Sequence, residues 1–427
     1  MRAAKSKKAV LSWCMYDWAN SAFATTIMAA VLPVFYSSVA AAGLTKTQAT
    51  SYWGYTNTIG MLIIAVSAPI LGAIADHSGT RKKFLCAFAS VGIVFTGLMV
   101  LISTGDWLMA SILFIMARLG FAGANIFYDS LLPHVAGRDK IDQVSTMGYA
   151  LGYMGGGLLL LINLAMISRP SFFHIPDSRW GARLSFLSVA IWWGVFSIPI
   201  FKNVKEPKAV PFTGESKNRL MAGFQRLRKT FHEVRRYKET FKFLIAFWIY
   251  NDGIGTIIIM AVIFGTEIGI AHGHLIGAIL AVQFIGVPFS ILFGRLAKLV
   301  GAKLCILAGL VVYTGISIGG YFIYHPLHFW ILAILVGLVQ GGTQALSRSL
   351  YGRLIPGDRS AEFFGFYDVS SKFSGIIGPL LFGIVGQITG SSRLGIIAMV
   401  IFFIGGGVVL TFVNEEKGVI MAGNQEL

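Results

Sequence analysis

Along the chain, long apolar runs alternate with short polar breaks. The runs cover roughly 11–40, 49–75, 84–104, 107–135, 143–167, 182–201, 243–267, 274–298, 303–324, 328–354, 362–388 and 393–413. Each is close to the ~20 residues that cross about 30 Å of hydrocarbon as an α-helix. In lipid only a helix or a closed barrel satisfies its own backbone, so runs of this length predict helices. The pattern predicts an all-α integral membrane protein with twelve transmembrane helices. A single long polar stretch, 202–242, separates the first six runs from the last six, giving an N-terminal bundle at 1–201 and a C-terminal bundle at 243–427 with a short tail. The polar stretch begins loosely with KNVKEPKAVPFTGESKN. Then Leu220, Phe224, Leu227, Phe231, Val234 and Phe241 recur at helical spacing, with Arg226, Arg228, Lys229, Arg235 and Arg236 on other faces. That pattern suits an amphipathic helix lying on the inner membrane surface; calmodulin-like or nucleic-acid targets share it.

The two sets of six resemble each other. SLLPHVAGRD (130–139) aligns with SLYGRLIPGD (349–358), and the same register sets Asn125 on Gln344 and Asp129 on Arg348. GAIADHSGTRKKF (72–84) aligns with GRLAKLVGAKLCI (294–306). Two like bundles joined by a loop form a parallel repeat about an axis along the membrane normal, with a cleft between halves that rock.

Composition agrees with the pattern. The 427 residues are 55% hydrophobic and 13% charged, with a mean hydropathy of +0.71; a soluble domain carries about 25% charged residues. The net charge of +16 would suggest nucleic acid, but its placement does not. Lys and Arg crowd the loops on one side, while the opposite loops hold only Lys46, Arg169, Arg179, Arg183 and Arg393. This positive-inside bias predicts a multi-pass protein with both termini cytoplasmic, and a partner that is the lipid bilayer rather than nucleic acid. The opening MRAAKSKKAV resembles a signal-peptide n-region, yet the run after it is too long for an h-region and holds Asp17, so it reads as an uncleaved first helix. Cys14, Cys86 and Cys305 fall at inner helix ends, where a disulfide framework is not expected. The histidines avoid mid-membrane, so neither a metal site nor a cofactor is expected. GISIG (315–319) lacks the strand–turn–helix setting of a hydrolase, and no G-x-x-x-x-G-K-[ST] is present. The chain reads as neither an enzyme nor an ATP-driven pump.

The motifs add a family. GAIADHSGTRKKF resembles the loop between the second and third helices of major facilitator superfamily transporters, with Gly72, Asp76, Gly79, Arg81 and Lys82 supplying its glycines, acid and basic pair, and His77 departing from it. RLGFAGA (118–124) is similar to that superfamily's fourth-helix motif, and GYALGYMGGG (148–157) and GIIGPLLFG (375–383) to its Gly-rich fifth and eleventh helices. YDWANSAFATTI (16–27) resembles the autophagy-linked vacuolar effluxer-like branch, whose eukaryotic members are implicated in amino-acid export from vacuoles. The resemblance implies two pseudo-symmetric six-helix bundles, secondary transport, and a cleft lined by helices 1, 4, 7 and 10. It carries the fold further than the substrate.

Polar residues inside these spans should face protein or a water-filled cavity. Arg118, Asn125 and Asp129 share one stripe of the fourth helix, and Gln340, Gln344 and Arg348 one side of the tenth. Pseudo-symmetry sets Asp129 opposite Arg348 near the inner mouth, unless each pairs locally. Asn251 and Asp252 occupy the place in the second half that Asn20 and Asp17 hold in the first. Asp17 and Asn20 are expected in the cleft, where a carboxylate titrates, binds a cation, or pairs with Arg348 or Lys372 as an inner gate; the alternative is a solvated cap. Asp368 and Lys372 either line the cleft or neutralise each other one turn apart. Glu267 is expected at the outer interface. Asp76, Arg81 and Lys82 serve as a gating latch or as a topological anchor. Gly148, Gly152 and Gly156 permit close helix approach.

The expected function is secondary active transport of a small zwitterion, an amino acid or short peptide, by a proton-coupled functional monomer. A lysolipid or other amphiphile is the alternative, suited by Tyr16, Trp18, Phe127 and Tyr128. A non-transporting sensor or scaffold acting through 202–242 is the reading from another class. The length and the absence of an N-x-[ST] sequon fit a bacterial inner membrane. Deleting 215–238 separates the classes: a sensor loses all output, whereas a transporter retains flux in vesicles.

Overall fold

The computed structural model describes residues 7–44, 49, 52–53, 56–57, 59–63, 80–137, 140–207, 235–356, 360–389 and 392–423. Every regular element among them is helical. The N-terminal half contributes α1 (Lys7–Ala40), α2 (Arg81–Leu101), α3 (Trp107–Val135), α4 (Ile141–Ser168) and α5 (Ser178–Asn203). The C-terminal half contributes α6 (Lys238–Glu267), α7 (His272–Val300), α8 (Ala302–Tyr321), α9 (Pro326–Leu354), α10 (Ser360–Thr389), α11 (Arg393–Thr411) and α12 (Glu415–Gly423). Ten helices among the described residues are long and apolar enough to cross a bilayer. The 30-residue α10 is an eleventh by length. The run expected at 49–75 falls largely outside the described residues.

Burial divides the helices into two cores. One runs from Trp13 to Val204 and the other from Tyr237 to Val413. Large apolar side chains also cover the outside, Val311 and Ile401 among them. This is the arrangement of a protein whose solvent is hydrocarbon.

α1 is not a uniform α-helix. Phe23–Ala30 and Tyr36–Ala40 are π-helical, on either side of Val31–Phe35. Pro33 lacks an N–H for the i→i−4 ladder and crowds the carbonyl one turn back, and the helix widens around it. Thr25 Oγ1 donates to Ser21 O at 3.0 Å just before the break.

α4 serves both bundles. On one face Gly148, Gly152 and Gly156 lie against Asp17, Ser21 and Thr25 of α1, one glycine per α1 turn. On the other, the Tyr153 ring lies on the bare backbone of Gly286 in α7, where a Cβ would sit 3.0 Å from it. The small-residue stripe therefore packs α1 onto α4, and the halves meet through the opposite side of the same helix.

The end of the bundle where α1 begins and α12 sits is called here the terminal face. Lys82 and Glu206 cap each other's helices there. Lys82 Nζ donates to Phe201 O at 2.9 Å and Val204 O at 2.5 Å, at the α5 C-terminus. Glu206 accepts from Lys82 N at 3.0 and 3.2 Å, at the α2 N-terminus. A cation on a helix C-terminus and an anion on an N-terminus both complement the helix dipole. Partial burial nevertheless holds the Glu206 carboxyl above the ordinary carboxylate range, against the pull of Lys82.

Two boundaries differ from the sequence pattern. α6 begins at Lys238 rather than 243, because Thr240 Oγ1 donates to Leu354 O at 2.7 Å and Glu239 pairs with Lys242 at 2.7 Å. The amphipathic helix expected over 220–241 lies mostly outside the described residues, and its last positions belong to α6. The expected tail is instead helical: Asn414 Oδ1 accepts from Lys417 N at 3.0 Å, capping α12, and Glu415 and Glu416 occupy its first turn.

The α1–α4 contact yields a direct test. A Cβ at Gly156 would lie 2.9 Å from Thr25 Cγ2 and 3.1 Å from Ser21 O. Gly156→Leu is expected to cost about 1–3 kcal/mol through overpacking, read as a lower melting temperature of the purified protein in nanodiscs.

Candidate functional site

Arg348, 3% exposed near the end of α9, reaches out of its own bundle into the other. Its Nη1 donates to Asp129 Oδ1 on α3 at 3.0 Å, and its Nη2 lies 3.5 Å from Asp17 Oδ2 on α1. Nε donates to Ser145 Oγ at 2.8 Å and Nη2 to Ser145 O at 2.9 Å, both on α4. The guanidinium plane lies over Trp13 at 4.9 Å and Tyr149 at 4.6 Å. Asp17 Oδ2 also accepts from Tyr128 Oη at 2.7 Å, and Trp13 Nε1 donates to Tyr128 O at 3.0 Å. Every donor-bearing nitrogen of Arg348 is thus engaged, and three helices of one half hold a cation from the other. All of these groups sit toward the terminal face.

Further bonds cross between halves at that face. Ser145 Oγ donates to Ala345 O at 3.0 Å. Arg353 pairs with Asp142 of α4 at 3.3 Å and with Glu415 of α12 at 2.7 Å. Arg81 is 1% exposed; it donates to His134 Nε2 at 2.5 Å and to Ser360 Oγ at 3.2 Å, the first residue of α10. Ser360 Oγ in turn donates to Ser130 O at 3.1 Å. The basic pair of the loop motif thus divides its work: Arg81 ties the halves together, and Lys82 caps α5. Gly72, Asp76 and Gly79 of the motif lie outside the described residues.

The pseudo-symmetry is visible in hydrogen bonds. Asn20 Nδ2 donates to Asn125 Oδ1 at 2.6 Å in one half, and Gln344 Nε2 to Asn251 Oδ1 at 3.3 Å in the other. Each bond joins the first and fourth helices of its repeat, at the positions the internal alignment pairs. These amides hold their own bundles.

Arg118 and Asp252 stand apart from the Arg348 network. Arg118, 3% exposed, donates to Asn57 Oδ1 and lies 5.7 Å from the Phe114 ring. It shares a stripe with Asn125 and Asp129 but lies turns above them, so it meets the second span and not the inter-bundle cluster. Asp252, 1% exposed, accepts from Gly378 N at 2.9 Å through Oδ1. Its Oδ2 has no partner among the described residues. Asp368 and Lys372 lie one turn apart on α10, and their side chains are outside the described residues.

Tyr16 and Phe127 are fully buried in the first core, and Trp18 stacks on Trp192 at 5.5 Å. These aromatics pack the bundle, so they do not form an amphiphile surface. The sequence reading also missed Ser145, Tyr149 and Trp13 around Arg348, and the His134–Ser360 contact. Trp13, Tyr16 and Trp18 around Asp17 were the signal available.

Away from the terminal face lies a partly open pocket. Helices α6 to α11 wall it, and Ala29 of α1 lines it from the other half. Thr256, Gln283 and Gln340 are its polar lining residues among the described residues, and no charged one is among them.

Comparison with known proteins gives concordant results. The family described as vacuole effluxer Atg22 like matches residues 5–423. The uncharacterized MFS-type transporter YxiO of Bacillus subtilis is 40% identical over 423 residues, covering 97% of this chain and 96% of that protein. Autophagy-related protein 22 of Eremothecium gossypii is 26% identical over 430 residues, covering 92% and 82%. Among solved structures, the proton:xylose symporter XylE superposes with a TM-score of 0.70 at 15% identity, covering 96% and 95%. The transporter FucP in its outward conformation gives 0.65 at 11% identity, covering 95% and 98%.

Removing the cation of the central network leaves two buried carboxylates facing each other. Arg348→Met is expected to destabilise the protein by about 3–5 kcal/mol, and Asp129→Asn by less. The double variant should be more stable than the sum of the single losses implies, with a coupling of about 1–3 kcal/mol. Thermal melts of the four proteins in nanodiscs measure it; strict additivity would show that the pair does not interact.

Proposed function

The chain belongs to the vacuole effluxer Atg22-like family of major facilitator superfamily transporters, and on that footing we propose that it works by alternating access with proton coupling. That it is a multi-pass membrane transporter acting on small molecules, and not an enzyme, follows from the family. The observation that carries the finer reading is the Arg348 network. It is built from both halves, lies at one face only, and leaves the cavity at the other end.

Rocking the halves apart at the terminal face must break the Arg348 contacts to Asp17, Asp129 and Ser145 together. The separated charges then meet water, which compensates much of the lost pairing. Asp17 and Asp129 are gate residues on this reading, with Arg81 as an outer tie. The basic loops at this face support its assignment to the cytoplasmic side of a bacterial inner membrane, with both termini inside. The two separate cores support bundles at 1–201 and 243–427 around the 202–242 linker.

Asp252 is the proposed proton carrier. An isolated charge at 1% exposure is costly, and no cation faces Asp252 Oδ2 among the described residues. The carboxyl therefore holds its proton in this state and releases it when rocking admits water. Asp17 is a weaker candidate because Arg348 and Tyr128 already partner its charge.

Two substrate classes fit. A zwitterion is supported by Arg118, a cation without a countercharge among the described residues, and by Asp252 in the opposite half once that carboxyl has released its proton. An amphiphile is supported by the apolar lining of the cavity.

Proteoliposomes loaded with a metabolite mixture provide the test. Solutes that accumulate under an imposed pH gradient with the wild type, and not with empty vesicles, identify the substrate. Asp252→Asn is expected to lower gradient-driven accumulation by at least about tenfold while exchange persists, since the near-isosteric amide cannot titrate. Asp17→Asn should slow both processes alike. Wild-type accumulation in Asp252→Asn would remove the proton role from that residue.

A further inference from the structure

Arg118 carries a charge that no acid answers among the described residues. It is 3% exposed. At about 1.5 Å of rise per residue it lies about 26 Å from the terminal-face end of α3, with roughly 17 Å of the helix beyond it. That is mid-membrane depth, where an isolated guanidinium is expensive. Arg348 shows how this fold treats a buried cation: two carboxylates and a serine surround it. Arg118 has no such shell, and no charged group among the described residues acts on it.

What the chain supplies instead is orientation. Nη1 donates to Asn57 Oδ1, and the Asn57 amide is itself fixed, because its Nδ2 donates to Trp53 O at 2.8 Å. The guanidinium lies 5.7 Å from the Phe114 ring, and Arg118 Cδ lies 3.6 Å from the position a Cβ would take at Gly60. A neutral amide and a ring thus hold the group without neutralising it. Nε and Nη2, the two donors along one edge of the fork, bond to nothing among the described residues. An edge of that kind receives a carboxylate through two parallel bonds. A methionine at 118 would remove the cost of burying the charge. The charge is therefore explained by an anion that comes and goes.

The position suits a transported anion. α3 packs against α10 of the other half. Met61, which follows Gly60, has its Cε 2.6 Å from the position a Cβ would take at Gly375 of α10. About one turn further along α10, Gly378 N donates to Asp252. Asp252 lies about 21 Å from the terminal-face end of α6, within about one helical turn of the depth of Arg118. The segment beside Arg118 and Asp252 itself thus meet the same stretch of α10, one from each half. Substrate sites in transporters built from repeats lie at this depth and on this boundary.

We infer that Arg118 is the anion-binding residue of the substrate site, and that the transported solute is recognised by a carboxylate with no ammonium group required. This inference rests on the transporter reading and narrows its substrate class. One guanidinium balances one negative charge, which fits a carboxylate and leaves a dianionic phosphate half-answered. An ammonium group gains no ion pair from Asp252 while that carboxyl holds its proton. The carboxylate is the group that this state of the protein is charged to receive.

The full chain in nanodiscs is melted with isovalerate, hexanoate or phenylacetate, each against its own amide, and with isobutylammonium. At least one carboxylate should raise the melting temperature saturably, at concentrations about tenfold or more below those at which its amide acts. Isobutylammonium should have no effect. In Arg118→Gln the preference for the carboxylate should fall to within about twofold. Asn57→Asp should do the same, because it places the missing countercharge beside the guanidinium. Should Arg118→Gln fail to fold, Asn57→Asp, which keeps the arginine, still decides. No carboxylate effect in the wild type, an equal effect of the amides, or a preference unchanged in Asn57→Asp overturns the inference. Flux is measured separately in proteoliposomes loaded with a metabolite mixture. Every solute that accumulates under the pH gradient should carry a carboxylate, and its methyl ester should not accumulate. Accumulation of solutes without an anionic group overturns the inference and leaves the transporter; carboxylate binding that depends on Arg118, without flux of any solute, overturns the transport reading and leaves the anion site.

Discussion

One guanidinium, buried in the half of the molecule to which it does not belong, sets the terms for the rest. Arg348 cannot sit among Trp13, Tyr128 and Tyr149 unless its charge is answered locally, and Asp17 and Asp129 answer it. Those acids come from α1 and α3, so two helices must approach a third at one depth. The glycines of α4 make that approach geometrically possible: at Gly148 any side chain would collide with the Asp17 carboxylate, 2.5 Å from a built Cβ. The packing stripe and the charge network are one device. The first supplies the space and the second supplies the reason to occupy it.

The other polar groups sort by whether they cross between halves. Asn20–Asn125 and Asn251–Gln344 stay within bundles and tie their helices together. Arg353 joins α9 to both Asp142 and α12, so the short terminal helix shares in the cross-bundle contacts. Lys82 and Glu206 lock α2 to α5 inside one bundle. The proposed rocking motion needs stiff units and one separable seam. The hydrogen bonds are partitioned accordingly.

Much of this was legible in the sequence because lipid makes the rules strict. Uninterrupted apolar runs gave the helices, and the internal alignment placed Asp129 opposite Arg348, where the structure has them 3.0 Å apart. The cluster's other members were not legible. Ser145 contributes a backbone carbonyl as well as its hydroxyl, and carbonyls leave no mark in a residue pattern. Spacing along α3 put Arg118 in the same stripe as Asp129, but a stripe fixes direction and not depth, so Arg118 met Asn57 instead. The α12 helix was signalled by Asn414 and the two glutamates after it, a cap too short to compete with the long apolar runs. The pocket had no signature at all, since its lining comes from positions scattered over six helices of one half and Ala29 of the other.

The internal alignment has an ancestral implication. Asp129 and Arg348 occupy equivalent positions of the repeat, and they touch, so both lie close to the axis that relates the halves. A position on such an axis faces its own copy. In an ancestor with identical halves, an acid there would have faced an acid and a base a base, and like charges at this separation repel. The ion pair that now joins the halves was therefore unavailable to a symmetric dimer. It became available only after the two copies were fused or otherwise freed to diverge, and loss of symmetry at that one site is what converted a repulsive contact into an attractive one.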